Sequence, residues 1–140
     1  MFEDTLIPLL LSNILGRVEG KTRFQKLIYL IQDEAAARNI EGSSFTYELC
    51  HYGPFSAELS SVLEDLHNNG FLKEEIEVTP AGYERFVYSI TGKGRRLLER
   101  SKKKALLSKR LTQIVSNIAH EYGDFPLNEL VNEAYGRFSR

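Results

Sequence analysis

The sequence has no tryptophan, one cysteine, one methionine and four prolines among its 140 residues. A single cysteine, Cys50, excludes an internal disulfide and is consistent with a reducing compartment. No apolar run approaches the roughly eighteen residues that a membrane-spanning helix requires. Residues 7–11 also lack the basic lead-in and the small-residue cleavage site of a signal peptide. These absences predict a cytoplasmic protein with no membrane partner.

The composition is that of one folded domain. The chain is 42% hydrophobic and 26% charged, and its length suits a single domain over residues 1–140. No internal repeat or low-complexity linker divides it. The formal net charge of −1 argues neither for nor against a polyanionic partner.

Charge is distributed unevenly along the chain. Between Lys93 and Arg110 there are nine basic residues and one acidic residue, a local balance of +8, so the remaining residues carry −9. Such a positive segment attracts phosphate groups. The alternative interpretation is a helix face that simply meets solvent.

The stretch from Tyr52 to Leu72 predicts a short helix followed by a strand. Ser56 is a good N-cap, and Leu59, Val62, Leu63 and Leu66 follow at helical spacing. The dipeptide at 69–70, Asn-Gly, tolerates the left-handed conformation that ends helices.

Two further helices are predicted before this stretch. The first is capped by Asp4 or Thr5 and ends at Gly16, which requires Pro8 to lie in its opening turn. A short loop over residues 17–21 follows. The second begins with a capping box from Thr22 to Gln25, and residues 45–52 then read as one short strand.

An apolar stripe marks the second predicted helix. It is formed by Phe24, Leu27, Ile28, Ile31 and Ala35. Arg23 and Lys26 lie off this stripe and are therefore expected on the surface.

Residues 71–78 and 83–90 alternate like strands and are joined by turn residues, which predicts a β-hairpin. Thr91 is the expected cap of the next helix, and the basic run at 101–104 interrupts its apolar pattern. Pro126 suits the first position of a last amphipathic helix.

Four apolar residues near the C-terminus alternate steps of four and three like a short coiled-coil seam: Leu107, Leu111, Ile114 and Ile118. Burial within the same domain is one use of this seam. A contact between two copies of the chain, and hence a homodimer, is the alternative.

The order of these elements resembles winged-helix proteins. The predicted fold class is therefore mainly α with a small β-hairpin wing: a winged helix-turn-helix core over residues 1–90 with C-terminal helices over residues 91–140. Residues 25–32, QKLIYLIQ, and 52–59, YGPFSAEL, resemble the YwgA-like proteins of bacteria and archaea. A weaker similarity reaches the Panacea (SocA-like) antitoxin domains, and residues 90–99, ITGKGRRLLE, resemble the wing-to-helix junction of many winged-helix regulators.

The resemblance implies double-stranded DNA as a partner and a transcription-regulator-like function, because winged helices commonly place their third helix in the major groove. The residues expected to contact DNA are Arg23, Lys26, Ser60, His67, Asn68, Lys73, Arg85, Arg95, Arg96, Lys102, Lys103 and Lys104. However, the exposed face of the third helix, which includes Glu58, Glu64 and Asp65, has no Lys or Arg. Acidic side chains are repelled by phosphates, so a protein-interaction module of antitoxin or adaptor type is the alternative.

The sequence does not predict an enzyme. Cys50 and His51 are adjacent on a predicted strand, and strand neighbours point to opposite faces, so they do not pair as nucleophile and base. The three histidines have no metal-ligand spacing, and residues 91–94, TGKG, lack the full phosphate-loop pattern. We expect no catalytic residue, no metal and no cofactor.

Overall fold

The computed structural model describes residues 2–140, which form six helices and five short strands. The helices are α1 (Phe2–Leu15), α2 (Lys21–Ala37), α3 (Ala57–Asn68), α4 (Gly92–Lys103), α5 (Lys109–Tyr122) and α6 (Leu127–Phe138). The strands are β1 (Val18–Glu19), β2 (Glu48–Cys50), β3 (Gly53–Phe55), β4 (Leu72–Val78) and β5 (Glu84–Ile90). The prediction of a mainly helical chain with a small β-hairpin is confirmed. None of the helices in residues 2–140 is long and apolar enough to cross a membrane.

Helix α2 lies at the centre of the molecule and contacts α5, α6, β1, β3 and β5. Every side chain from Phe24 to Ile31 is buried, including the polar Gln25 and Lys26. The apolar stripe predicted for this helix is confirmed. The expectation that Lys26 lies on the surface is wrong, because helices and strands enclose α2 on several sides rather than along one stripe.

Helix α3 follows its prediction closely. Ser56 is its N-cap, with the Ser56 hydroxyl accepting from the Leu59 amide at 3.1 Å. Leu59, Leu63 and Leu66 are buried, and the helix ends at Asn69 and Gly70 with Gly70 at φ 80°. The cap, the apolar stripe and the Asn-Gly stop that the sequence predicts for α3 are therefore all present in the folded chain.

The sheet contains three strands in the order β1-β5-β4, all antiparallel. The hairpin of β4 and β5 is confirmed, with Leu72 opposite Ile90 and Val78 opposite Glu84. Strand β1 is a correction, because residues 17–21 were expected to form a loop. Val18 is fully buried, and the Gly20 amide donates to the Phe86 carbonyl at 2.7 Å.

Two helix starts also differ from the predictions. Helix α1 already includes Phe2, so Pro8 lies in its middle rather than in its opening turn. Helix α2 begins at Lys21 after Gly20, and no side chain caps it. The capping box was wrong because the side chain of Gln25 is used elsewhere: it donates to the Ser56 carbonyl at 2.8 Å and accepts from the Ser56 amide at 2.9 Å.

Residues 45–52 form a tight hairpin with the residues that follow them, rather than one strand. Strands β2 and β3 pair antiparallel, with Cys50 opposite Gly53. Gly53 adopts φ 88° and lies close to α6, where a Cβ atom would stand 3.7 Å from the Val131 carbonyl oxygen. Helices α2 and α6 both contact β3.

Most of the predicted seam is buried in the core of the chain. Leu111, Ile114 and Ile118 are at most 3% exposed, on a helix that packs against α1 and α2. Leu107 precedes α5 and is half-buried. A contact between two copies through the three buried residues would require them to leave the interior.

Candidate nucleic-acid interface

Helix α4 presents a basic surface. Its N-cap is Thr91, whose hydroxyl accepts from the Gly94 amide at 3.0 Å, as predicted. Gly94, Leu98 and Ser101 form the buried side of the helix. On the other side, a shallow depression of about 330 Å³ is lined by Arg95, Arg96, Glu99, Arg100 and Lys103.

The basic surface continues past the end of α4. Lys102, Lys103 and Lys104 are all exposed. The helix ends at Lys103 with Lys104 as its C-cap, beyond which Ala105 adopts a left-handed conformation with φ 53°. The sequence predicted that the helix is interrupted near residues 101–104, and the end of α4 at the C-terminal side of this run confirms it. Cations at a helix C-terminus are favourably placed, so this cluster is compatible with a stable helix.

The positive charges of this segment are not neutralised within the chain. Among residues 2–140, no ion pair involves any basic residue from Lys93 to Arg110. By contrast, Arg17, Arg85 and Arg137 each contact two or more carboxylates. The basic residues of α4 other than Lys93 are thus available to an external anion.

The basic residues that were predicted to contact DNA from elements other than α4 largely have partners within the chain. Arg23 donates to the Gly123 carbonyl at 3.1 Å and to the Phe125 carbonyl at 2.7 Å, which links α2 to the end of α5. Arg85 pairs with Glu19 and, at 2.6 Å, with Glu77. Lys73 is exposed but lies 3.4 Å from Glu75.

Lys26 is not available to a phosphate in this structure. Its side chain is 2% exposed, and its Nζ donates to the Pro54 carbonyl at 2.8 Å. Burial lowers the pKa of Lys26 to about 8, because the charged ammonium loses its hydration. Lys26 therefore fastens the β2–β3 hairpin to α2.

The three polar residues predicted on α3 converge on a second cavity. Ser60, His67 and Asn68 line a space of about 270 Å³ between α3, the start of α2 and the sheet. The Ser60 hydroxyl accepts from Gln25 Nε2 at 3.1 Å. The remaining lining residues are Lys21, Gln25, Leu63, Glu64, Glu74 and Tyr88.

This cavity has an acidic character that does not suit phosphate. Glu64 and Glu74 face one lysine, Lys21, whose Nζ lies 4.2 Å from the centre of the Phe86 ring. Burial, together with the Glu74 carboxylate, raises the pKa of Tyr88, so its hydroxyl stays protonated. The structure thus separates the predicted residues into a basic set on α4 and a polar, acidic-lined set beside α3.

Arg100 lines the basic depression on α4 but was not among the residues predicted to contact DNA. A signal for it exists in the sequence, because Arg96, Arg100 and Lys103 lie at i, i+4 and i+7 and so share one helix face. Lys93, on the same segment, instead donates to the Asn69 carbonyl at 2.7 Å and lies over the Phe71 ring.

Part of the chain matches a named bacterial protein. The chain is similar to YwgA. It is 33% identical over 85 residues to "Uncharacterized protein YwgA" of Bacillus subtilis (strain 168), a match that covers 60% of this chain and 47% of that protein. The chain thus spans about half the length of YwgA. This similarity supports the resemblance to YwgA-like proteins, and no family model matches the chain.

Proposed function

We propose that this protein is a winged-helix DNA-binding protein of the transcription-regulator type, and that α4 makes its main contacts to the DNA backbone. The observation that carries the proposal is the unneutralised basic surface of α4. Arg95, Arg96 and Arg100 lie around one depression, and three consecutive exposed lysines follow at the helix end. Guanidinium and ammonium groups bind phosphate oxygens, and such contacts supply affinity without reading sequence.

The order of elements supports this proposal. The chain has a third helix, α3, followed by the β4–β5 hairpin and then by α4, which is the order that a winged helix with its wing requires. In this arrangement the duplex lies along α4, since Glu58, Glu64 and Asp65 give the exposed face of α3 a negative charge that phosphates avoid. Base contacts are then limited to polar residues at the margin of α3, of which Asn68 is exposed.

The test is fluorescence-polarisation binding of the full chain to a labelled random-sequence duplex, titrated with salt. About six phosphate contacts predict a loss of affinity on the order of a thousandfold between low and moderate salt. Replacing Arg95, Arg96 and Arg100 together by Glu is expected to abolish binding at moderate salt, with little change in melting temperature because all three side chains are exposed.

A single pair of variants gives the matched control. Lys103→Glu and Lys73→Glu make the same charge change at exposed positions, one on α4 and one on β4. We expect the first to weaken binding several-fold more than the second. Equal losses would show that binding follows net charge alone, and binding that survives the triple reversal would exclude α4 as the contact.

A protein-interaction module that does not bind DNA is the second candidate. The observation that favours it is the surface beside α3, where acidic residues surround the cavity and large apolar side chains on β4 are exposed. This function predicts the opposite result in the polarisation experiment, namely no binding of the duplex even at low salt.

A further inference from the structure

Strand β4 is a free edge of the sheet. The strand order β1-β5-β4 gives β4 one neighbour, β5, and leaves its other side without a partner strand. The Thr79 amide donates to the Tyr83 carbonyl at 2.7 Å, and the Thr91 amide donates to the Phe71 carbonyl at 3.2 Å. Because hydrogen bonding alternates along an antiparallel pair, the odd-numbered residues of β4 bond to β5 and the even-numbered residues direct their N–H and C=O groups outward.

The outward backbone groups of this edge are available from Glu74 to Val78. The Leu72 carbonyl already lies 3.3 Å from His67 Nδ1, which fits its outward direction. Within residues 2–140, no other backbone or side-chain hydrogen bond reaches the outward groups of Glu74, Ile76 and Val78. An extended segment can therefore form ladder hydrogen bonds with three successive outward residues.

Apolar side chains flank this free edge. Ile76 and Val78 are 59% and 67% exposed. By the alternation of the strand they share the face that carries the buried Leu72, and Ile76 lies opposite Phe86. This face of the hairpin extends beyond the core, so its apolar surface remains uncovered.

Glutamate side chains next to the β4 edge determine which charge a partner segment should carry. Glu74 is the first residue of β4 whose outward backbone groups are both free, and its side chain lines the cavity of about 270 Å³ together with Glu64 of α3. Glu75 lies on the other face of β4, and its side chain is 59% exposed. Glu75 already lies 3.4 Å from Lys73, whereas Glu74 and Glu64 have no ion pair among residues 2–140. The Glu74 and Glu64 carboxylates therefore favour a basic segment, since opposite charges across neighbouring strands are stabilising and like charges are destabilising.

We infer that the β4 edge binds an extended, basic and apolar segment of a partner protein by strand addition, with apolar side chains against Ile76 and Val78 and a basic side chain directed at Glu74 and Glu64. This inference rests on the interaction surface of the second proposed function and is independent of whether α4 binds DNA. Of the three glutamates in this seven-residue strand, Glu75 lies 3.4 Å from Lys73 and Glu77 pairs with Arg17 and Arg85, so Glu74 is the one that disfavours pairing with an acidic strand.

The test uses the full chain and labelled eight-residue peptides built from Lys, Val and Thr. Three probes are compared by fluorescence polarisation: the basic peptide, the same peptide with Lys replaced by Glu, and the basic peptide with every backbone amide methylated. The basic peptide is expected to bind at least tenfold more tightly than either of the others, because only it offers both the charge and the backbone donors. In amide exchange, Glu74, Ile76 and Val78 are expected to exchange quickly in the free protein and to become protected when the basic peptide is added.

A pair of variants at one position isolates the backbone contribution. Ile76→Pro removes an outward N–H and leaves the ladder to β5 intact, which an edge strand tolerates, whereas Ile76→Thr keeps the N–H. We expect at least a tenfold loss of peptide affinity for Ile76→Pro relative to Ile76→Thr. If Ile76→Pro disturbs the hairpin, the methylated peptide decides the question without any change to the protein.

Three results overturn strand addition: no binding by the basic peptide, equal binding of the basic and acidic peptides, or equal binding of the methylated and unmethylated basic peptides. These results leave duplex binding through α4 untouched, because the two tests use different surfaces. Conversely, loss of duplex binding in the α4 variants does not affect the peptide result.

Discussion

At the scale of single residues, Lys26 has the least ordinary environment. It is a buried cation whose hydrogen-bond partner is the neutral carbonyl of Pro54, and it has no ion pair among residues 2–140. A carboxylate at this depth would offset the loss of hydration, but a carbonyl does so less completely. The charged form is therefore disfavoured in the folded state.

The consequence is a pH dependence of stability that can be measured. The pKa of Lys26 is about 8 in the folded protein against an ordinary value of 10.5, so between these values the unfolded chain binds more protons than the folded one. Stability is thus expected to rise with pH across this window. The free energy of unfolding of the wild type, relative to Lys26→Met, is expected to increase by about 2 kcal/mol from pH 7 to pH 10.

Urea unfolding at several pH values measures this difference, and Lys103→Met, at an exposed position, is the control. The control is expected to show no such rise relative to wild type. A constant difference between wild type and Lys26→Met would mean that Lys26 titrates normally in the folded protein. The Cys50 thiol acts in the opposite direction, since its thiolate would favour the charged lysine.

At the scale of elements, the junction between the hairpin and α4 explains the TGKG segment. The Thr91 hydroxyl donates to the Gly70 carbonyl at 2.6 Å and accepts from the Gly94 amide, which connects the end of α3 to the start of α4. Gly94 packs directly on the preceding strand. A Cβ atom there would overlap the Phe71 carbonyl oxygen and stand 2.7 Å from Ile90 Cγ1.

The two glycines of this segment make a matched pair. Gly94→Ala is expected to destabilise the protein by about 1–3 kcal/mol, because backbone atoms must shift to admit the methyl group. Gly92→Ala is expected to be neutral or slightly stabilising, since its Cβ would meet nothing closer than the flexible end of Arg96, at 3.5 Å. Thermal unfolding followed by circular dichroism measures both. Similar effects of the two substitutions would contradict the close contact at Gly94.

At the scale of the whole molecule, α5 connects the N-terminal and C-terminal parts of the chain. It packs against α1 and α2, and Leu111, Val115 and Ile118 are at most 3% exposed. Helix α6 is held to α2 by Arg137, which pairs with Asp33 and Glu34 at 3.4 Å. Residues 91–140 are thus integral to one core, rather than an extension beside a separate one.

Leu111→Glu tests whether the seam serves folding or association. Leu111 is 1% exposed, so an ionised carboxyl there loses its hydration without a partner, and we expect a loss of several kcal/mol of stability. Gln113→Glu on the exposed side of the same helix is the control, and its expected effect is within about 0.5 kcal/mol. Melting temperature and light scattering are measured together. A stable Leu111→Glu monomer from a dimeric wild type would instead show that the seam joins two copies.

Much of this molecule follows from local sequence signals. Ser56, Thr91 and Gly16 mark element boundaries correctly, because caps and left-handed turns depend on a few neighbouring residues. The hairpin and the apolar faces follow from residue periodicity in the same way. The excess of basic charge on α4 could also be read from the sequence, since it depends only on composition.

Tertiary contacts decided the remaining features. Strand β1 has two residues and exists only because β5 lies beside it, so no local pattern could reveal it. Gln25 and Lys26 are buried because α2 is enclosed by β3 and by other elements that are distant in sequence. The sequence by itself therefore determined the helices, the β4–β5 hairpin and the positive segment. Only the packed structure decided which charges remain unpaired and which strand edge remains free, because pairing depends on residues that folding brings together.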